Sequence, residues 1–297
     1  MSFFIEVLVG GLLAGVMYSL VALGFVLIYK ASGVFNYAQG SMVFFAALCF
    51  VSMIENGVDF WLAIAITITV MIVLAVLIER TVLRPLVNQS PIALFMATIG
   101  LAFVLEGASQ IIWDSQPHLL ELGIQDEPIA WLSQHASIYI SRLDLFGAAV
   151  AGILVLVLAV FFHKTRIGRA LRAVADDHQA ALSIGIPLQH IWAIVWAVAG
   201  FVALVAGLMW GARTGVQYAL TFVALKALPV LILGGFESIS GAIVGGLIIG
   251  ASEKLAEVYL GPYVGGGIES WFAYVIALLF LLVRPQGLFG EKIIDRV

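Results

Sequence analysis

Charge is scarce in this sequence. Only 11% of its residues are Asp, Glu, Lys or Arg, against 63% that are hydrophobic, where a soluble globular chain carries about 25% charged residues. That shortage excludes a water-soluble domain and leaves a polytopic, all-α membrane protein. Positive charge is scarcer still. The 14 Lys and Arg against 18 Asp and Glu give a formal net charge of −4, which excludes a generally basic nucleic-acid binder. Cysteine is almost absent. Cys49 stands alone inside an apolar run, so no disulfide framework is possible and the residue reads as a small packing group. The N-terminus lacks a basic leader segment and runs straight into a long apolar stretch, so no cleavable signal is expected.

Catalytic signatures are missing as well. There is no G-x-x-x-x-G-K-[ST] phosphate loop, no H-E-x-x-H, no C-x-x-C and no G-x-S-x-G. His118 and His135 lie in one loop without cysteine or closely spaced histidine neighbours, so no metal site is assigned. An intramembrane protease would need paired Asp, a Ser/His pair or zinc ligands within its spans, whereas the acids here sit mainly at span ends. Neither an enzyme nor a chain with its own cofactor is expected.

What the sequence has is long apolar runs. A membrane-crossing helix needs about 20 mostly apolar residues, and such stretches fall near 5–29, 38–54, 60–78, 91–113, 144–162, 190–211, 219–234, 239–256 and 269–283. The second, seventh and eighth are short or cut by glycine and polar groups. Loop charges orient these spans. With the N-terminus outside, Lys30, Arg80, Arg84, Lys164, Arg166, Arg169, Arg172, Arg284, Lys292 and Arg296 fall inside, and only Arg142, Arg213 and Lys254 fall outside. The external loops are acidic in turn. An odd number of crossings, most simply nine, and a cytoplasmic C-terminus follow. The whole chain, 1–297, reads as a single transmembrane domain with an external loop near 114–143 and a cytoplasmic loop near 163–189.

That cytoplasmic loop is the longest polar interruption with a net positive charge. Lys164, Arg166, Arg169 and Arg172 precede Asp176 and Asp177, and a run of small residues ends at Gly185 with Pro187 beyond it. The alanine-rich middle predicts a short surface helix stopped by Gly185 and Pro187. A surface helix of alanines and mixed charge between two membrane spans reads as a docking element.

Polar groups inside the apolar body are few enough to name. The first span carries Gly11, Gly15 and Ser19 at small-xxx-small spacing, which lets two helices approach closely in lipid; a pore-lining face containing Tyr18 is the alternative. Asn36 and Gln39 lie near membrane depth between two glycines, where irregular backbone survives only against protein or water. Phe35-Asn-Tyr-Ala-Gln-Gly-Ser-Met-Val43 can be laid against Phe236-Glu-Ser-Ile-Ser-Gly-Ala-Ile-Val244, a weak suggestion of two broken segments in two halves. Lys226 is a charge well inside a span and marks a functional-site hypothesis by default, with pairing to Glu237 or Glu106, or snorkelling, as the structural alternatives.

Four motifs in order carry a resemblance. Asn36-Tyr-Ala-Gln-Gly40, Gly168-Arg-Ala-Leu-Arg-Ala-Val-Ala-Asp176 followed by Ala180-Ala-Leu-Ser-Ile-Gly185, Leu233-Gly-Gly-Phe-Glu-Ser-Ile-Ser-Gly241, and Arg284-Pro-Gln-Gly-Leu-Phe-Gly290 together resemble the LivH-type permease of branched-chain amino acid ABC importers. The resemblance spans nearly the whole chain. It implies a subunit of the bacterial inner membrane that pairs with a second, LivM-like permease. Two ATP-binding subunits would hold the ATP, and a periplasmic binding protein would deliver substrate. It also implies that the ATPase-docking loop uses Arg169, Ala170, Arg172, Ala173, Asp176, Ala180 and Gly185. Tyr37 and Gln39 stand where many relatives have Phe and His, which bears on substrate more than on family.

The expected function is therefore translocation of a branched-chain or other neutral amino acid, powered by separate ATPases. Tyr18, Asn36, Gln39, Lys226, Glu237 and Ser238 are the expected path residues. The same architecture could carry urea or a short-chain amide. A different class, an ion-coupled secondary transporter titrating Lys226, Glu237 or Glu106, would leave the 164–187 loop unexplained.

Overall fold

The computed structural model describes residues 2–86, 89–136, 138–176, 178–183 and 185–290. In chain order its helices are α1 (Ser2–Ser32), α2 (Gln39–Glu55), α3 (Phe60–Ile78), α4 (Pro91–Trp113), α5 (Ala130–Ala136), α6 (Arg142–Lys164), α7 (Arg166–Asp176), α8 (His178–Ser183), α9 (Leu188–Thr214), α10 (Val223–Gly234), α11 (Ile239–Tyr259), α12 (Gly261–Val264) and α13 (Phe272–Val283). A 3-10 turn, Tyr218–Phe222, leads into α10. No sheet forms among the described residues beyond two isolated bridges, His118 with Val216 and Pro128 with Ser141.

Each of the nine expected apolar segments is a helix. Six are long and apolar enough to cross a membrane: α1, Phe60–Leu86, α4, α6, α9 and α11. The other three, Gln39–Glu55, Tyr218–Gly234 and Phe272–Val283, are shorter. At about 1.5 Å rise per residue each falls below the ~30 Å of a hydrocarbon core. The boundaries follow local chemistry. Asp59 caps α3 by accepting from the backbone N–H groups of Trp61, at 3.0 Å, and Leu62, at 3.2 Å. Ser90 caps α4 and Pro91 opens it, where a missing N–H costs nothing.

The chain divides into two compact units. The first comprises Met1–Leu23, Leu122–Leu156 and Leu225–Val297. Its core is the close approach of α1 and α11 through small residues. A Cβ on Gly11 would lie 2.7 Å from the Gly250 carbonyl oxygen, and Gly15 meets Gly246 as tightly. Ser19 Oγ sits within hydrogen-bond distance of the Gly15 and Ile243 carbonyls, at 2.9 and 3.3 Å. The small-xxx-small pattern therefore serves packing within this unit, because two glycine faces let dispersion replace the missing hydrophobic drive in lipid.

The second unit comprises Gly24–Glu121 and Val157–Ala224. Its centre is α2, with α9, α4 and the 3-10 turn against it and α3 against α9. Phe50, Met42, Trp196 and Leu204 are fully buried there. Gly207 lets α9 press on α2, since a Cβ there would come within 2.7 Å of the Val43 carbonyl. Trp192 donates its indole N–H to the Ala31 carbonyl at 2.9 Å, satisfying the last turn of α1.

Candidate functional site

The loop after α6 carries the short helix expected of it. Arg166–Asp176 is a helix, followed by the short α8 and then Gly185. Gly185 has φ +83°, a conformation L side chains rarely adopt, and its N–H reaches back to the Leu182 carbonyl at 3.0 Å, so it ends α8 as a glycine cap. Along α7, Gly168, Leu171 and Val174 are buried while Arg166 and Arg169 are exposed, with Ala170, Arg172 and Ala173 half-buried. One face therefore beds onto the protein and the other is free. The side chains of Asp176 and Ala180 lie outside the described ones.

Two of the loop's cations are already engaged. Arg172 Nη1 donates to the Phe162 carbonyl at 2.9 Å and Nη2 to His163 at 3.4 Å, and Arg169 Nη1 reaches the Lys164 carbonyl at 3.4 Å. These are the last carbonyls of α6, and a guanidinium there satisfies orphan acceptors and complements the helix dipole. Gly168 is what allows it. A Cβ on Gly168 would overlap the Phe162 carbonyl, so the α6–α7 reversal needs glycine. Sequence reading took Gly168 only as part of a motif and missed this role.

The turn that opens α11 is equally specific. Ser238 caps α11, its Oγ accepting from Gly241 N–H at 3.0 Å, and Glu237 is exposed beside it. The C-terminal motif folds back onto this turn. Leu288 N–H donates to the Leu233 carbonyl at 2.8 Å and Phe289 N–H to Gly234 at 3.1 Å. Two separate sequence motifs are thus one interlocked structure. Glu237 and Ser238 belong to it.

At the first broken segment, Asn36 and Gln39 are both 0% exposed. Asn36 Oδ1 accepts from Ala38 N–H at 3.1 Å, its Nδ2 donates to Gln39 Oε1 at 3.4 Å, and Gln39 Nε2 donates to the Ala199 carbonyl at 3.4 Å. The pair ties the α1–α2 turn to α9 inside its own unit. Gly40 presses on the Thr221 carbonyl, where a Cβ would overlap it.

Further polar groups lie within the apolar helices. Lys226 Nζ lies 2.6 Å from Glu253 Oε1, and Tyr18 OH donates to the same oxygen at 3.2 Å. The acid that pairs with Lys226 is therefore Glu253, which sequence reading did not single out, and not Glu237 or Glu106. Lys226 and Glu253 lie on neighbouring helices 27 residues apart, a spacing that carries no periodic signal. Glu106 on α4 accepts instead from Ser41 Oγ at 2.7 Å and Tyr218 OH at 3.2 Å. Among the described residues no group of three or more His, Cys, Asp or Glu could hold a metal ion.

Residues 7–284 match the family described as the branched-chain amino acid transport system / permease component. The chain belongs to this family. It is 28% identical over 306 residues to the high-affinity branched-chain amino acid transport system permease protein LivH of Salmonella typhimurium, covering 99% of this chain and 98% of that one. It is 29% identical over 308 residues to the permease protein BraD of Pseudomonas aeruginosa, covering 99% and 98%. The fructose import permease protein FruF of Bifidobacterium longum is 24% identical over 280 residues, covering 91% of this chain and 75% of that one.

Proposed function

We propose that this chain is the membrane permease subunit of an ABC importer for branched-chain or other neutral amino acids. It works in the bacterial inner membrane with its N-terminus outside and its C-terminus cytoplasmic. The observation that carries this reading is the family match from residue 7 to residue 284, joined by relatives of the same length named as branched-chain amino acid permeases. The chain itself does no covalent chemistry. Two partner ATPases hydrolyse ATP, a LivM-like permease completes the path, and a periplasmic binding protein supplies the solute.

The α7–α8 arm is the part that meets the ATPases. Its Gly168, Leu171 and Val174 face rests on the protein, and its Arg166 and Arg169 face is exposed. A rigid helix seated this way passes a partner's motion to the spans on either side. Arg169, Ala170, Ala173 and Gly185 supply the surface, and Arg172 fixes the arm to the end of α6. Tyr18 and Lys226 belong to the path in the first unit, and Asn36 and Gln39 fix the α1–α2 turn in the second.

The deciding experiment is mild-detergent purification of the tagged chain from its native membrane, with mass spectrometry of what accompanies it. Two ATP-binding proteins and a second permease are expected, and uptake of leucine in vesicles should require ATP. Recovery of the chain alone, active in ion-driven uptake, would replace this reading with a secondary transporter.

A further inference from the structure

Glu106 is the one acid in the middle of α4, about seven residues and so roughly 10 Å in from the Trp113 end at 1.5 Å per residue. A carboxylate at membrane depth is costly unless a cation or hydrogen-bond donors compensate it. No Lys, Arg or His stands within ion-pair distance of Glu106 among the described residues. Two hydroxyls hold it instead, Ser41 Oγ on Oε1 at 2.7 Å and Tyr218 OH on Oε2 at 3.2 Å. Each oxygen thus receives one neutral donor and keeps acceptor capacity, since a carboxylate offers about four lone-pair sites. The group is fixed in place and its charge is left unbalanced.

Its surroundings are aromatic and open. Tyr218 is 45% and Phe222 53% exposed, and Glu106 itself is half-buried. Phe44 and Phe222 pack edge-on to the Tyr218 ring at 6.3 and 5.8 Å. Acyl chains cannot cover an ionised carboxylate and a phenol hydroxyl, so this face borders protein or water. A single carboxylate with two hydroxyls does not make a metal cage, for hard cations take six or more oxygens. What it suits is a primary ammonium, with charge-assisted hydrogen bonds to the carboxylate and ring faces beside it.

We infer that Glu106, positioned by Ser41 and Tyr218, receives the ammonium group of the transported amino acid. This rests on the amino-acid reading above and narrows it. Urea, short-chain amides and sugars lack the cation that the site calls for.

Two measurements test it. In membrane vesicles carrying the intact complex, Glu106→Gln is expected to lower leucine uptake at least ten-fold. Tyr218→Phe should lower it a few-fold, with both variants assembling with their partners. Wild type should also reject 2-hydroxyisocaproate, the analogue with hydroxyl in place of ammonium, and Glu106→Gln should lose that discrimination. Separately, Glu106 in the native complex is labelled with dicyclohexylcarbodiimide and quantified by peptide mass spectrometry. Leucine should protect it and 2-hydroxyisocaproate should not. This second readout needs no transport and no variant, so it decides the site even if Glu106→Gln fails to assemble. Normal leucine uptake in an assembled Glu106→Gln complex, or labelling that leucine leaves unchanged, overturns the ammonium site. Absence of ATP-dependent amino acid uptake in wild type overturns the transport reading instead.

Discussion

Glu253 Oε1 takes both the Lys226 ammonium, at 2.6 Å, and the Tyr18 hydroxyl, at 3.2 Å, while its other oxygen is buried without a hydrogen-bond partner among the described residues. Glu253 is 2% exposed. A charge so deeply placed is tolerable only because Lys226 lies against it. Lys226 is thereby accounted for first as the counter-ion of a buried acid. Any role in the path is added to that obligation.

Removing one partner should therefore cost more than removing both. Lys226→Met leaves Glu253 buried and uncompensated, with an expected loss of about 3–5 kcal/mol, whereas Lys226→Met with Glu253→Gln should recover most of it. Thermal unfolding in detergent of the two singles and the double checks this. Equal loss in the single and the double would mean the pair contributes no coupling.

The α1–α11 seam makes a steric prediction. Gly250 faces the Gly11 carbonyl and the Gly15 backbone with no room for a Cβ. Gly250→Val should separate the two helices and lower stability by about 1–3 kcal/mol or more. Gly10→Ala, at a position where a Cβ meets nothing within 4 Å, should be neutral. Comparable melting temperatures for Gly250→Val and wild type would rule out a tight seam.

The helices were legible because lipid demands long apolar runs, and capping residues mark their ends. The expected 60–78 and 91–113 coincide with Phe60–Ile78 and Pro91–Trp113, and 219–234 misses only the first residue of Tyr218–Gly234. Gly185, at the end of the α7–α8 arm, was legible for the same local reason. Partnerships were not. Tyr218 meets Glu106 across 112 residues and Tyr18 meets Glu253 across 235, and nothing in helical periodicity reports which faces meet. Arg172 was read as an inside charge and a docking contact, and only the α6–α7 reversal shows that its guanidinium closes the end of α6. Lys292 and Arg296, which helped set the expected orientation, lie outside the described residues.

That reversal separates two effects in the α7–α8 arm. Gly168→Val would collide with the Phe162 backbone, so it should displace the arm and lower both partner recovery and uptake. Arg169→Glu changes an exposed residue and should leave the fold and melting temperature unchanged while uncoupling ATP hydrolysis from uptake. Coupled hydrolysis and transport in Arg169→Glu would remove the docking role of that side chain.

The loop that follows α4 carries a pH dependence. His118 Nδ1 lies 3.0 Å from Glu55, and its Nε2 lies 3.3 Å from the Trp113 carbonyl. Its backbone bridges to Val216 in both directions, at 3.0 and 2.8 Å. Partial burial pulls the imidazole pKa down, but the hydrogen bonds to Glu55 and the Trp113 carbonyl and the charges of Glu55 and Asp114 together outweigh it, so the pKa stands above its ordinary 6.5. A raised folded-state pKa means the protonated pair stabilises the loop fully below about 6.5 and loses that contribution as pH rises through the raised value. Amide hydrogen exchange over residues 114–121, corrected for intrinsic rates, should therefore show protection falling across that window. Glu55→Gln removes the charge that sustains the imidazolium and should flatten the profile. His118→Gln, which keeps a neutral hydrogen-bonding side chain, should hold the loop at one intermediate level at every pH. A wild-type profile with no slope from pH 6 upward would show that the Val216 bridge anchors the loop without help from the ion pair.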